Sequence, residues 1–237
     1  MISKEREEYL EKLHKSILQS SEHLQNLLSD SSHYKKVKTE NNQIKYLHPN
    51  EHNPKNPKFY STIIENSEKN ISFLQSLFHY RILFLERLFN AKTDGFSAKA
   101  FHSKCDKKFP SLLLFKVKIT NEIFGAFVSI PWESPSTPKY RLDKRAFLFS
   151  FSKKTKHEAY INEEYSILMD KNMGPCFGGG CDLRINDENQ DHSSNLGFTF
   201  KFNNLRDYDT KETKTYLAGD IVFSLENYEL FYIEFHF

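Results

Sequence analysis

The strongest constraint on this chain is a change of hydrophobic period. Beyond about residue 95, apolar side chains recur at every second position, in short runs with polar connections. Segments 112–120, 122–130, 146–152, 195–202, 221–225 and 228–235 carry this alternation. It marks strands with at least one buried face. In the last of them Leu230, Tyr232 and Glu234 face one way and Phe231, Ile233 and Phe235 the other. One face is wholly apolar and must pack on a core. Strands that follow strands, with few helices between, predict an antiparallel sandwich and not a parallel sheet. A short helix is expected over 97–105, with Ser97 as its cap and Phe101 facing inward.

The first 95 residues read differently. Over 1–29, Leu10, Ile17 and Leu24 are spaced by seven, and Leu13 and Leu27 belong to the complementary series. That is a heptad stripe without Gly or Pro. Its flanking positions lack complementary charges, so a helix docked on another surface is preferred to a self-pairing coiled coil. This stripe is the candidate partner-binding helix. Residues 30–60 are polar, carry Pro49, Pro54 and Pro57, and read as an extended linker. Residues 61–90 return to helical spacing through Ile63, Ile64, Ile71, Leu74, Leu77 and Phe78, widened by Phe73, Ile82, Leu83 and Phe84 towards a buried strand. The expected organisation is a helix over 1–29, a linker over 30–60 and a folded domain over 61–237.

Composition removes several function classes. Among 237 residues, 33 basic and 31 acidic side chains give a net charge of +2. That disfavours a nucleic-acid binder or a polybasic membrane protein. Mean hydropathy of −0.63 and the lack of a long uncharged apolar run argue against a transmembrane segment. The first 30 residues are too charged for a signal peptide. Three cysteines, Cys105, Cys176 and Cys181, suit free thiols in a reducing cytosol better than a disulfide framework.

Chemical motifs are few. The loop GPCFGGGCD at 174–182 has glycines for a phosphate cradle, but no Lys follows and Asp182 would repel the anion. A tight turn whose backbone only glycine tolerates is the better reading, with Gly179 at its centre. Cys176 and Cys181 with Cys105, His102 or His192 have poor zinc spacing. Ser97 and His102 with Asp94 or Asp106 have the residue types of a hydrolase triad but no nucleophile elbow. Glu163, Glu164, Asp187, Glu188 and Asp191 read as solvated loop acids. No catalytic residue, cofactor site or metal site is expected.

Several segments together resemble one family, the TLDc domain. They are LFNAKTDGFSAKAFHSKCD (88–106), IFGAFVSIPW (123–132), DKRAFLFSF (143–151), GPCFGGGCDLRIND (174–187), and then NLGFTF, YLAG and ENYELFYIEF. The match runs in order over about 65–237 and resembles a short member of the protist type with an extra N-terminal helix. It departs at 78–90, where the family usually has a Trp, and at 153–172. The resemblance implies a TLDc-type sandwich of two antiparallel β-sheets flanked by short helices, mainly β with α, plus the N-terminal helical arm. It implies structural glycines at Gly95, Gly125, Gly174, Gly178, Gly179, Gly180, Gly197 and Gly219. It implies a non-enzymatic binding module on a large cytosolic assembly. The first-choice partner is the vacuolar-type proton-pumping ATPase, in regulation of assembly and protection from oxidative stress. A structural component of ciliary axonemal microtubules, held by tubulin or axonemal proteins, is the alternative. A thiol-dependent antioxidant enzyme is the third. The expected location is the cytoplasm, on a membrane-associated complex or in cilia.

Overall fold

The computed structural model describes residues 35–38, 44–47, 59–160, 164–189, 191–202 and 208–236. The heptad stripe of Leu10, Leu13, Ile17, Leu24 and Leu27 lies outside them, as does Glu163. The chain divides into two compact units, residues 1–55 and 56–237. In the first, β1 (Lys35–Lys38) and β2 (Ile44–Leu47) pair antiparallel, Lys35 opposite Leu47. These strands fall within the stretch read as a linker.

The second unit is built on two six-stranded sheets in which every ladder is antiparallel. The first contains β3 (Arg81–Asn90), β4 (Ser111–Val117), β5 (Ile123–Val128), β7 (Phe147–Ser150), β8 (Thr155–Glu158) and β14 (Leu225–His236), in the order β3-β14-β4-β5-β7-β8. The second contains β6 (Lys139–Arg141), β9 (Ile167–Met169), β10 (Cys176–Phe177), β11 (Leu183–Arg184), β12 (His192–Ser194) and β13 (Val222–Phe223), in the order β13-β12-β11-β10-β9-β6. Four short α-helices accompany them among the described residues: α1 (Glu68–Ser76), α2 (Ala91–Asp94), α3 (Ala98–Cys105) and α4 (Lys211–Thr215).

The central strands are apolar on both faces because both faces are covered. Leu113, Phe115 and Val117 of β4 point into a core shared with Phe177, Leu183 and Ile167 of the second sheet. Leu112 and Leu114 point the other way, into a second core with Phe147, Phe149, Phe231 and Ile233. Segment 59–78 closes that second core: Phe59, Ile63, Ile64, Ile71, Leu74 and Leu77 are all buried in it. Phe59 is 1% exposed and meets the Phe231 ring edge-on at 5.8 Å. A boundary at residue 61 would sever this contact. Burying a side chain of this size stabilises by roughly 1.5–3 kcal/mol.

A polar pin holds the same segment in register. Glu229 of β14 is fully buried and accepts five hydrogen bonds. They come from Ser61 Oγ at 2.5 Å, the Thr62 amide at 3.0 Å and Thr62 Oγ1 at 3.1 Å. Arg87 at 2.8 Å and Asn90 Nδ2 at 3.1 Å, both on β3, complete the set. A buried carboxylate is tolerable only with such saturation.

Helical spacing over 61–90 yields α1, and the buried strand expected around Ile82, Leu83 and Phe84 is β3, which starts at Arg81 and is bound along its length to β14. One sequence expectation needs correction. Segment 195–202 alternates like a strand, yet forms no strand, only bridges at Phe200, which pairs with Ala159, and at Phe202. Its amides turn instead towards Asp182, as described below. Ser97 does cap α3, its side chain accepting from the Ala100 amide.

Candidate functional site

The 56–237 unit carries an open groove of about 660 Å³ at one end of the first sheet. Its floor follows from the aromatic-rich strands. Phe127 of β5, Phe147 of β7 and Phe235 of β14 converge on Phe78, which sits just beyond α1. Phe78 lies 5.0, 5.4 and 4.9 Å, centroid to centroid, from Phe127, Phe147 and Phe235. Such edge-on clusters are stiff and favourable. Exposed Tyr80, Phe109 and Leu142 extend the apolar lining.

The rim is cationic. Lys144, Arg145, Lys156 and Lys201 line it, against the exposed acid Glu158. Lys156 bonds Glu158 at 3.0 Å and lies over the Phe147 ring at 4.5 Å. The hydrogen bond from Lys156 holds the Glu158 carboxyl below its usual range. A second wall acid, Asp143, is buried. It accepts from the Ser129 amide at 2.6 Å, Ser129 Oγ at 2.5 Å and the Arg145 amide at 3.0 Å. It fastens the loop that carries Lys144 and Arg145. An aromatic floor inside a basic rim suits an apolar anchor flanked by acidic groups.

The residues singled out from sequence lie elsewhere and carry structural duties. His102 of α3 places Nδ1 2.7 Å from Asp106 and Nε2 3.0 Å from the carbonyls of Asp170 and Met173. Asp94 accepts from the Asn90 amide, and Asp187 from the Ala98 amide at 2.6 Å. Of the triad residue types, His102 and Asp106 are thus brought together, while Ser97 serves as the cap of α3 and Asp94 ties the start of α2. His192 Nδ1 accepts from the Asn186 amide at 3.1 Å. Burial pushes its pKa down to about 4. Glu164, Glu188 and Asp191 are exposed. Among the described residues, no three His, Cys, Asp or Glu side chains gather as a metal site.

The glycine loop is built around Asp182. Its fully buried carboxylate accepts from four consecutive amides, those of Gly197, Phe198, Thr199 and Phe200, at 3.0–3.2 Å. Burial raises its pKa to about 6, with the four amides pulling the other way. The left-handed position is Gly178, with φ +83°, and not Gly179. A Cβ on Gly178 would fall 2.0 Å from Asp182 Oδ2. Gly174 packs under Ile185, Gly179 beside Tyr165, and Gly180 against the Phe198 ring. Gly125, in the middle of β5, has the Leu113 carbonyl and the Phe149 ring where a Cβ would stand, both at 2.3 Å. Gly95 ends α2 and Gly219 lies against Thr120.

The groove was not foreseen from sequence. Its parts come from eight separate stretches of the chain. The one available signal was the unpaired richness in Phe.

No curated protein matches this chain. The family model of the TLDc domain matches residues 57–234. It begins just before buried Phe59 and takes in both sheets, the glycine loop and β14 almost to its end. On that match, carried by the sandwich just described, the chain belongs to the TLDc domain family.

Proposed function

We propose that the 56–237 unit is a non-catalytic interaction module that docks, through the basic-rimmed aromatic groove, onto an acidic, apolar-anchored surface of a large protein assembly. The observation that carries this reading is the groove itself: four cationic side chains surround a floor of four packed Phe rings. Membership in the TLDc family supports it. So does the use of Asp182, Glu229, Asp143 and His102 as structural ties, which leaves them bonded within the fold. The first-choice assembly is the cytosolic sector of the vacuolar-type proton-pumping ATPase, on family grounds.

The test is affinity purification with mass spectrometry, using the full chain and a Lys156→Glu/Lys201→Glu variant. Pump subunits should co-purify with the native chain and fall at least tenfold with the variant. Tubulin and axonemal proteins in their place would point to the microtubule reading. Equal recovery of the same partners by both chains would remove the groove from the interface.

A further inference from the structure

The lining of the groove changes character from one side of the sheet to the other. The strand order β14-β4-β5-β7-β8 sets the direction. On the β14, β4 and β5 side, residues 77–80, 109–110, Phe127 and Phe235 bring rings and aliphatic groups, with His79 as the one basic group. On the β7 and β8 side, the loop 142–146, β8 and Lys201 bring every other charged group of the lining. The Lys201 amide donates to the Glu158 carbonyl at 2.8 Å, which fixes that lysine beside β8. Both acids on this side are already engaged. Asp143 is bonded to Ser129 and to the Arg145 amide, and Glu158 to Lys156 at 3.0 Å. Lys144, Arg145 and Lys201 form no ion pair among the described residues. Four cations against two bonded carboxylates leave this half with surplus positive charge. The floor is also recessed. Phe127 and Phe147 are 5% and 3% exposed, whereas Tyr80, Phe109 and Leu142 at the rim are 53%, 49% and 41% exposed. A bilayer surface would meet the rim and leave the floor uncovered; a narrow apolar chain reaches it.

We propose that the groove is a binding site for a free, single-chain anionic amphiphile of the fatty-acid class, its alkyl chain laid over the Phe floor and its carboxylate among Lys144, Arg145, Lys156 and Lys201. The size fits: about 660 Å³ falls within the range of roughly 300–1,000 Å³ typical of small-molecule sites. The floor is preformed, since Phe78 already packs on Phe127, Phe147 and Phe235 at 4.9–5.4 Å, so little ordering is left for the ligand to impose. Charge complementarity fixes the polarity of the ligand: an apolar end towards β14 and an anionic end towards β8. A guanidinium such as that of Arg145 suits a carboxylate with two parallel hydrogen bonds. The inference deepens the docking reading and rests on it for one consequence. An alkyl carboxylate and an apolar anchor flanked by acids use the same floor and the same cations, so ligand and protein partner exclude each other, and a rising supply of the ligand releases the assembly.

The experiment is calorimetric titration of the purified full chain with decanoate and dodecanoate, each below its micelle concentration. One saturable site is expected, with dodecanoate about tenfold tighter than decanoate for its two added methylenes. Decanol and decylammonium should bind at least about tenfold more weakly than decanoate, because the rim attracts an anion. Lys144→Glu/Lys201→Glu should weaken decanoate binding by at least about tenfold. Lys118→Glu, at an exposed lysine outside the groove, should change it by less than about twofold. The chain-length and headgroup series on the native chain decides the matter even if the double variant folds poorly. No saturable binding by the native chain, equal affinity for decanoate and decanol, or binding only to vesicles containing phosphatidylserine would overturn the proposal. So would a dimer of the full chain that the double variant dissociates, which would assign the groove to a second copy. Partner capture that depends on the groove, without ligand binding, would overturn this inference and leave the docking reading standing. Ligand binding without groove-dependent capture would do the reverse.

Discussion

Replacing Glu229 by Gln tests the account of how segment 59–78 is held. Ser61 Oγ already accepts the amides of Ile63 and Ile64 at 3.0 and 3.2 Å while donating to Glu229 Oε2. A Gln amide group turned to that side meets a hydroxyl whose hydrogen points at it. Turned to the other side, it meets the donors of Thr62, Arg87 and Asn90. No orientation satisfies every group. A buried polar group left unsatisfied costs about 1–3 kcal/mol. Loss of the Arg87 pairing adds about 1 kcal/mol, discounted because a third of the Arg87 side chain is exposed. The expected loss is about 2–4 kcal/mol, or roughly 5–15 °C in melting temperature for a domain this size. Thermal melts and urea titrations measure it. Amide hydrogen exchange at Ile63 and Ile64 should quicken by about thirtyfold, since the pin is local to them. Lys92→Gln, which breaks an exposed pair with Glu226 at 2.9 Å, should cost under about 1 kcal/mol. A Glu229→Gln melting temperature within 2 °C of native, on the order of the surface control's, would refute the reasoning.

Other perturbations have equally definite signs. Gly125→Ala should destabilise by about 1–3 kcal/mol or prevent folding, because neither the Leu113 carbonyl nor the packed Phe149 ring can move away cheaply; soluble yield and thermal melts read this. Gly178→Ala should cost about 1–3 kcal/mol, and more than Gly179→Ala in parallel urea titrations, since only Gly178 combines a left-handed φ with a clash on Asp182. His192 is neutral in the fold, with a pKa lowered from 6.5 to about 4. An unfolded chain binds that proton first, so the stability His192 contributes is present above pH 6.5 and is lost as pH falls towards 4, by about 2–3 kcal/mol. Asp182 has the opposite sign, losing stability as pH rises through about 6. The His192 contribution is therefore read as the difference between native chain and His192→Gln, which should shrink on acidification. Deleting residues 1–56, which spares Phe59 and Glu229's partners, should leave a soluble domain melting within a few degrees of the full chain; a collapse in melting temperature would place the arm in the domain's core.

What could be read from sequence was what depends on local period. The strands β4, β5, β7 and β14 alternate or are apolar throughout, and the N-cap of α3 is a contact three residues long. Segment 195–202 deceived because its alternation is real: Leu196, Phe200 and Phe202 are buried. What sequence could not show was that Asp182, fifteen residues away, takes the amides that a neighbouring strand would need. The strands of the second sheet are two or three residues long, too short for a period to register. β3 was legible only in part, because its apolar pattern fits a helix nearly as well. The groove required Phe78, Phe127, Phe147 and Phe235 to meet from four parts of the chain, and no spacing rule reaches that far.

The Asp182 arrangement has a consequence for what the turn at residues 197–200 can bind. Successive amides aimed at one point make a receptor for an oxyanion. This receptor is already filled, by a ligand tied to the receptor's own backbone. A tethered ligand competes at an effective concentration on the order of millimolar or higher, and it cannot diffuse away. A free phosphate would have to eject a buried carboxylate, and the ejected group would stay beside the site as a like charge. The stretch that most resembles a nucleotide cradle in one dimension is, in three, the key: its Asp182 closes a lock made by the amides of residues 197–200.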